Sequence, residues 1–205
     1  RGVFFSGNDN QTPQSIAIHN TIVFIQIQTM GNTIDFGDSI NPRRRRYQAA
    51  GSSSTRGVNC GGFSPSLSPS RTDTIESITI ATQSNSTDFG NLTEAASDIG
   101  TVSNGVRAVS AIGIDSDFTN LIDFFTIATT GNASDFGDVA SGSFGSFAAL
   151  ESPTRGILAG GFNNTPSPST PYNRIDFLTI ATTGNTQDFG DLTQGTIGPA
   201  GSSSN

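Results

Sequence analysis

The chain has 205 residues, 33% of them hydrophobic and 13% charged, with a formal net charge of −7 and ten basic residues, all arginine. Such acidity repels a phosphate backbone over most of the surface and argues against a nucleic-acid partner. A single cysteine, Cys60, excludes an intrachain disulfide and a multi-cysteine zinc site, and no apolar run approaches the roughly 20 residues of a bilayer span, so membrane insertion is not expected.

With 24 glycines, abundant Ser, Thr and Asn and no Trp, the composition is that of many short strands joined by turns. The chain opens on RGVFFSG, an apolar run from Arg1 that reads as a strand. A variable Asn-rich loop follows, NDNQTPQSIAIHNT from Asn8, which holds the lone His19. Next comes IVFIQIQTMGNTIDFGD from Ile22, whose alternation of β-branched and aromatic residues is a strand pattern. Its Gly31-Asn32 pair reads as hairpin-turn chemistry, and Asp-Phe-Gly starts another short strand with Phe36 as core and Gly37 as a tight backbone position. The cluster Arg43 to Arg46 reads as a solvated step, and YQAAGSSST from Tyr47 as a strand of small residues.

The whole series then recurs. The long phrase returns as IESITIATQSNSTDFGN from Ile75, IDFFTIATTGNASDFGD from Ile122 and IDFLTIATTGNTQDFGD from Ile175, with seven of seventeen columns identical in all copies. The opening phrase returns as RGVNCGG, RAVSAIG and RGILAGG, from Arg56, Arg107 and Arg155. The units run approximately 1–55, 56–106, 107–154 and 155–205, in one repeat domain. In each long strand one face carries an apolar pair at its centre (Ile25/Ile27, Ile78/Ile80, Phe125/Ile127, Leu178/Ile180) and is expected to be buried. The opposite face carries Phe24, Ser77, Phe124 or Phe177 and is expected to be largely covered, so each sheet is expected to be packed on both sides.

Four strands per unit of about 50 residues is the signature of a β-propeller, and the fold expected is all-β. The order of an Arg-Gly step ending in Gly61-Gly62 or Gly160-Gly161, a variable loop, then I-D-x-x-T-I-A-T-x-G-N-x-x-D-F-G-D resembles the kelch-like repeats of structural proteins of tailed bacteriophages. The likeness covers essentially the whole chain. It departs from ordinary kelch blades in lacking Trp, with Phe in the Asp-Phe-Gly phrase instead. The chain starts at the second strand of a blade and ends, at TIGPAGSSSN, in what reads as the first strand of another. Two arrangements fit: terminal strands that pair to close a ring of four blades, or an open stretch of a larger array in a longer or processed protein.

Candidate chemistry divides into repeated and unique positions. The repeated set comprises Arg1, Arg56, Arg107 and Arg155; Asp35, Asp88, Asp135 and Asp188; Phe36, Phe89, Phe136 and Phe189; and Gly37, Gly90, Gly137 and Gly190. Recurrence at repeat spacing points to architecture. The Asp residues are expected to cap their own turns or to pair with the repeated Arg, ahead of any hard-cation site on a central axis. Asp-Phe-Gly is not kinase chemistry, since the chain has no Lys. His19 stands alone in a variable loop with no second His and no repeat counterpart, and no Ser-His-Asp set can be composed without it, so no catalytic, metal or cofactor residue is expected. Any two loop acids, such as Asp115, Asp117 or Glu151, could in principle form a glycosidase-like pair, but the sequence gives no positive sign of one.

The variable loops after the Gly-Gly step carry the candidate ligand-facing residues Asn8, His19, Arg71, Asp117, Asn163 and Tyr172, on a rigid scaffold. The resemblance implies a non-enzymatic virion protein, a propeller module of a tail fibre or external appendage. It implies other virion proteins as partners in an oligomeric assembly, with host-surface glycan as the ligand the loops would meet. A bacterial extracellular carbohydrate-binding adhesin is the alternative.

Overall fold

The computed structural model describes residues 1–12, 15–41, 49–64, 68–114, 118–163 and 170–203, and every regular element among them is a strand. The first unit contains β1 (Gly2–Thr12), β2 (Ser15–Ile25) and β3 (Ile34–Asp38), paired in that order. The second contains β4 (Ala49–Ser52), β5 (Arg56–Cys60), β6 (Thr72–Thr79) and β7 (Thr87–Ala96), and the third β8 (Gly100–Ser103), β9 (Arg107–Ala111), β10 (Leu121–Thr126) and β11 (Ser134–Asp138). The fourth contains β12 (Ala148–Glu151), β13 (Arg155–Ala159), β16 (Arg174–Thr179) and β17 (Gln187–Asp191), with a two-stranded ribbon, β14 (Phe162–Asn163) and β15 (Thr170–Pro171), in its loop. The last three units are four-stranded antiparallel sheets whose strands pair in chain order apart from the ribbon. The chain is therefore all-β and propeller-like, with β4, β8 and β12 neighbouring one another along its inner side.

Its apolar cores lie between sheets. Phe24, Phe36 and Ile22 of the first unit cluster with Ile78 of the second. Val58, Ile75 and Phe89 of the second cluster with Ile112, Phe125 and Ile127 of the third, and Phe136, Val102 and Val109 of the third with Leu158, Leu178 and Ile180 of the fourth. Each sheet buries its apolar face only against a neighbour, as expected of a stacked repeat.

Local details differ from expectation in three places. Gly-Asn does not form a hairpin turn. The reversal lies earlier, at Thr126–Thr129 and its equivalents. In the Gly-Asn pairs a positive φ occurs only at Gly184, whereas one recurs in all four copies at the Gly of Asp-Phe-Gly, at +148°, +151°, +142° and +141° for Gly37, Gly90, Gly137 and Gly190. There it makes a bulge: Ile122 faces Gly137 and Asp123 faces Asp135, leaving Phe136 as the extra residue, turned into the core. Second, the first unit is three-stranded, and the terminal TIGPAGSS, residues 196–203, is not a strand. Among the described residues the two terminal segments do not pair, so no ring is closed. Third, two expected core residues are exposed, Ile27 at 70% and Phe189 at 55%, whereas Ile127 and Ile180 are at 0% and Phe36, Phe89 and Phe136 at 2–3%. Ile27 has no sheet in front of it and Phe189 none behind.

The Asp-Phe-Gly glycines sit at the joints. An added Cβ at Gly90 would collide with the Gly131 carbonyl of the next unit, whereas one at Gly190 meets nothing within 4 Å. Gly190→Ala is expected to cost only the backbone strain of a positive φ, about 1–3 kcal/mol. Gly90→Ala, with the same strain plus a backbone collision, is expected to be clearly worse; urea unfolding of the two variants side by side gives the comparison.

Candidate functional site

The repeated arginines act across the joints. Arg56, Arg107 and Arg155 start the second strands of their sheets and Arg1 immediately precedes β1. Arg1 Nη1 donates to the carbonyls of Ile80 and Ala81 at 3.0 and 2.9 Å, Arg56 Nη1 to Ile127 at 2.9 Å, and Arg107 Nη1 to Ile180 and Ala181 at 3.3 and 3.0 Å. Their guanidinium carbons also lie over rings: Arg1 on Phe24 at 4.8 Å, Arg107 on Phe124 at 4.4 Å and Arg155 on Phe177 at 4.7 Å. In the second unit Ser77 takes the ring's place, and Arg56 lies 5.6 Å over Phe89 instead. The guanidinium thus caps strand-end carbonyls of the following sheet, and the expected pairing of these arginines with the repeated aspartates is not what it makes. Asp135 and Asp188 accept from the backbone N–H of Gly137 and Gly190 at 3.0 Å, inside their own bulges.

The Gly-Asn pair docks onto the bulge of the preceding unit. Asn85, Asn132 and Asn185 accept, through Oδ1, from the backbone N–H of Asp38, Asn91 and Asp138 at 3.0–3.1 Å. Beside this, Gly131 and Gly184 N–H donate to the Phe89 and Phe136 carbonyls, and Ser86, Ala133 and Thr186 N–H to those of Asp38, Asn91 and Asp138.

A further set escaped the sequence reading: the buried acids Glu76, Asp123 and Asp176 that follow the first Ile of each long strand. Glu76 accepts from Asn59 Nδ2 at 2.8 Å, Ser86 Oγ at 2.6 Å and the Ile40 N–H at 2.9 Å. Asp123 accepts from Thr93 N–H and Oγ1, both at 2.8 Å. Asp176 accepts from Ser141 Oγ and lies 3.9 Å from Arg174 Nε. Each carboxylate reaches back to the segment leaving the preceding sheet. Burial raises the carboxyls of Asp123 and Asp176 above the ordinary Asp value despite these donors. The visible signal was an acid on an otherwise apolar strand face, in three of four copies, with Val23 in the first.

The loops joining second to third strands, and the links between sheets, share one end. Arg71 Nε donates to Ser97 Oγ at 3.1 Å, so this candidate residue ties its loop to the next link. Asn163 Nδ2 donates to Ser143 O and Oγ at 3.0 Å. Tyr172 is half-buried, with Arg174 stacked between it, at 4.3 Å, and the Phe144 ring, at 4.2 Å. Phe118 and Phe162, from the third and fourth loops, meet edge to face at 5.4 Å. Asn8 pairs with Ile18 within the β1–β2 ladder, and His19 is exposed opposite Gly7. Arg71, Asn163 and Tyr172 are therefore structural ties of the loop end. Asp115, Asp117 and Arg43 to Arg46 lie outside the described residues.

At the inner side, a cleft of about 300 Å³ runs along the start of β1, on the side away from β2. It is lined by Gly2 and Val3, by Gly51 and Ser52 of β4, and by Thr101 and Glu151. Burial raises the Glu151 carboxyl, opposed by a backbone hydrogen bond from Ser103. Arg1 also lines the cleft but is held by the Ile80 and Ala81 carbonyls. No group of three or more His, Cys, Asp or Glu converges among the described residues.

No family model matches the chain, and no curated protein matches it. Among solved structures, YjhT superposes with a TM-score of 0.73 at 11% identity, covering 98% of this chain and 70% of that one. At that identity the likeness is one of fold.

Two outcomes are expected from the joint chemistry. Arg107→Ala removes two carbonyl caps and a ring stack and should cost about 1–3 kcal/mol. Arg155→Ala, whose guanidinium has no carbonyl partner, should stay within about 0.5 kcal/mol; thermal or urea unfolding separates them. The raised carboxyls also give a pH dependence. Their contribution is fully present below the unfolded-state Asp value and is lost as pH rises through the raised folded-state values. Asp123→Asn with Asp176→Asn should therefore flatten the decline in stability from acid toward neutral pH, measured as melting temperature against pH.

Proposed function

We propose that the chain is a non-enzymatic structural module of a tailed-phage particle. In this reading the four units are kelch-like blades of a propeller in a tail fibre or similar external appendage, other virion proteins are its partners, and the loop end is turned toward host-surface glycan. The resemblance of the repeat phrase supports the virion assignment. The observation that carries the non-enzymatic part is the use made of the charged groups: Arg1, Arg56 and Arg107 are spent on carbonyls of the next sheet, and Glu76, Asp123 and Asp176 on hydrogen-bond donors that include groups of the preceding unit. Recognition is left to the loops, which vary in length and sequence while the strands beside them repeat.

Mass spectrometry of purified particles is expected to find peptides of this chain at structural abundance. Peptides found only in a bacterial cell envelope would move the module to the extracellular adhesin reading. For the loop end, a glycan array of host-surface polysaccharides is expected to give binding that exchange of loop residues 164–169 abolishes while the melting temperature is kept.

A further inference from the structure

One hairpin turn in the middle of the array carries a reactive pair that its counterparts lack. It joins β8 to β9 in the third unit, which has a neighbouring unit on either side. Its residues, Asn104-Gly105-Val106-Arg107, include the one Asn-Gly pair of the chain. The units before and after make the same turn with serine in first place. Ser53 and Ser152 N–H donate to the Arg56 and Arg155 carbonyls at 2.9 and 2.8 Å, and their hydroxyls accept from the Arg56 and Arg155 N–H at 3.1 and 3.0 Å. In the third unit Asn104 N–H donates to the Arg107 carbonyl at 3.2 Å, and Asn104 Oδ1 accepts from Val106 N–H at 3.1 Å and Arg107 N–H at 2.9 Å. The turn requires only a side-chain oxygen, and serine supplies it. Asparagine supplies it with an amide carbon attached.

That carbon is an electrophile, and the next peptide nitrogen is a nucleophile. Gly105 is exposed, has a φ of +81°, and a Cβ built on it would meet nothing within 4 Å. Among the described residues its N–H has no hydrogen-bond acceptor. The nitrogen is therefore open to base, with no side chain beside it to shield it. The two N–H groups on Oδ1 polarise the amide, and they point at the atom on which negative charge collects when a nucleophile adds to Cγ.

We propose that Asn104 is a self-modification site, at which the folded hairpin closes a succinimide with Gly105 and opens it with water. Solvent hydroxide takes the Gly105 N–H proton, the nitrogen bonds to Asn104 Cγ, and the charge passes to Oδ1. The Cγ–Nδ2 bond then breaks, and the amide nitrogen takes a proton from water and leaves as ammonia, which returns the hydroxide. A second water adds to one of the two imide carbonyls and cleaves its bond to nitrogen. Opening at Cγ gives aspartate at position 104, and opening at the main-chain carbonyl gives isoaspartate.

The two products differ in consequence. Aspartate keeps an oxygen for the Val106 and Arg107 N–H and brings one further negative charge into a cleft of about 260 Å³ that Glu151 also lines. Isoaspartate inserts a methylene into the main chain of the turn just before Arg107, whose guanidinium caps Ile180 and Ala181. The joint between third and fourth units is then the one weakened. This inference is independent of the virion assignment.

The test is prolonged incubation of the folded chain at mildly alkaline pH, followed by ion exchange and peptide mapping. An acidic form with one extra negative charge is expected, carrying aspartate and isoaspartate at position 104, and Asn104 should convert before any other asparagine. Asn104→Ser restores the turn of the neighbouring units, so it should melt as wild type and lose the acidic form. Asn104→Asp should elute with the acidic form from the outset and melt near wild type, whereas the isolated isoaspartyl form should melt lower. A parallel incubation in unfolding guanidinium chloride separates the turn from the bare dipeptide, and conversion at least as fast in the folded chain is expected. Conversion that is slower folded than unfolded overturns the proposal. So does an acidic form that Asn104→Ser retains, or conversion that begins at another asparagine.

Discussion

Close approach of backbone to backbone at the bulge of each Asp-Phe-Gly phrase is the constraint from which the rest of this structure follows. A residue with a Cβ at Gly37, Gly90 or Gly137 would meet the carbonyl or chain of the next unit's turn, and the bulge that puts Phe36, Phe89 or Phe136 into the core uses the same positive φ. One glycine thus sets both the spacing between sheets and the aim of the aromatic ring. Around it the Asn side chain satisfies one exposed N–H of the bulge, and the arginine satisfies strand-end carbonyls of the sheet that follows. Polar groups that would otherwise lie unpaired at a tightening interface are matched across it.

This arrangement explains why the units resemble one another so closely. Each surface has to fit its predecessor and its successor, so a change in the turn must be met by a change in the bulge it covers. The apolar clusters have the same logic, each drawing side chains from two sheets. A single sheet would expose Ile, Phe and Leu on its faces, which is what the two outermost faces do at Ile27 and Phe189. Stability is then largely a sum over joints.

The buried acids add directionality. Glu76, Asp123 and Asp176 each face the segment leaving the previous sheet, and their donors differ: an asparagine and a serine with a backbone N–H, a threonine through two atoms, and a serine beside an arginine. A carboxylate taken from water into such a site is held by hydrogen bonds rather than by a full countercharge, which is why burial dominates the titration of Asp123 and Asp176. Their position on an apolar strand face looks like an error of patterning until the neighbouring sheet is present.

By itself the sequence determined the strand content and the repeated positions, because alternation of apolar residues and recurrence of Arg, Asp-Phe-Gly and Asn are local and linear. It also marked the variable loops. What it could not assign was the partner of each repeated group. Arg and Asp recur with equal frequency and invite pairing, yet Arg107 reaches 73 residues ahead to the Ile180 carbonyl while Asp135 turns back to Gly137. The Gly-Asn pair has the composition of a hairpin and instead docks on the sheet before it. The tertiary structure alone decided these, together with the roles of Tyr172 and Arg71, because a backbone carbonyl has no signature in sequence and becomes a partner only when another sheet is brought within hydrogen-bonding distance.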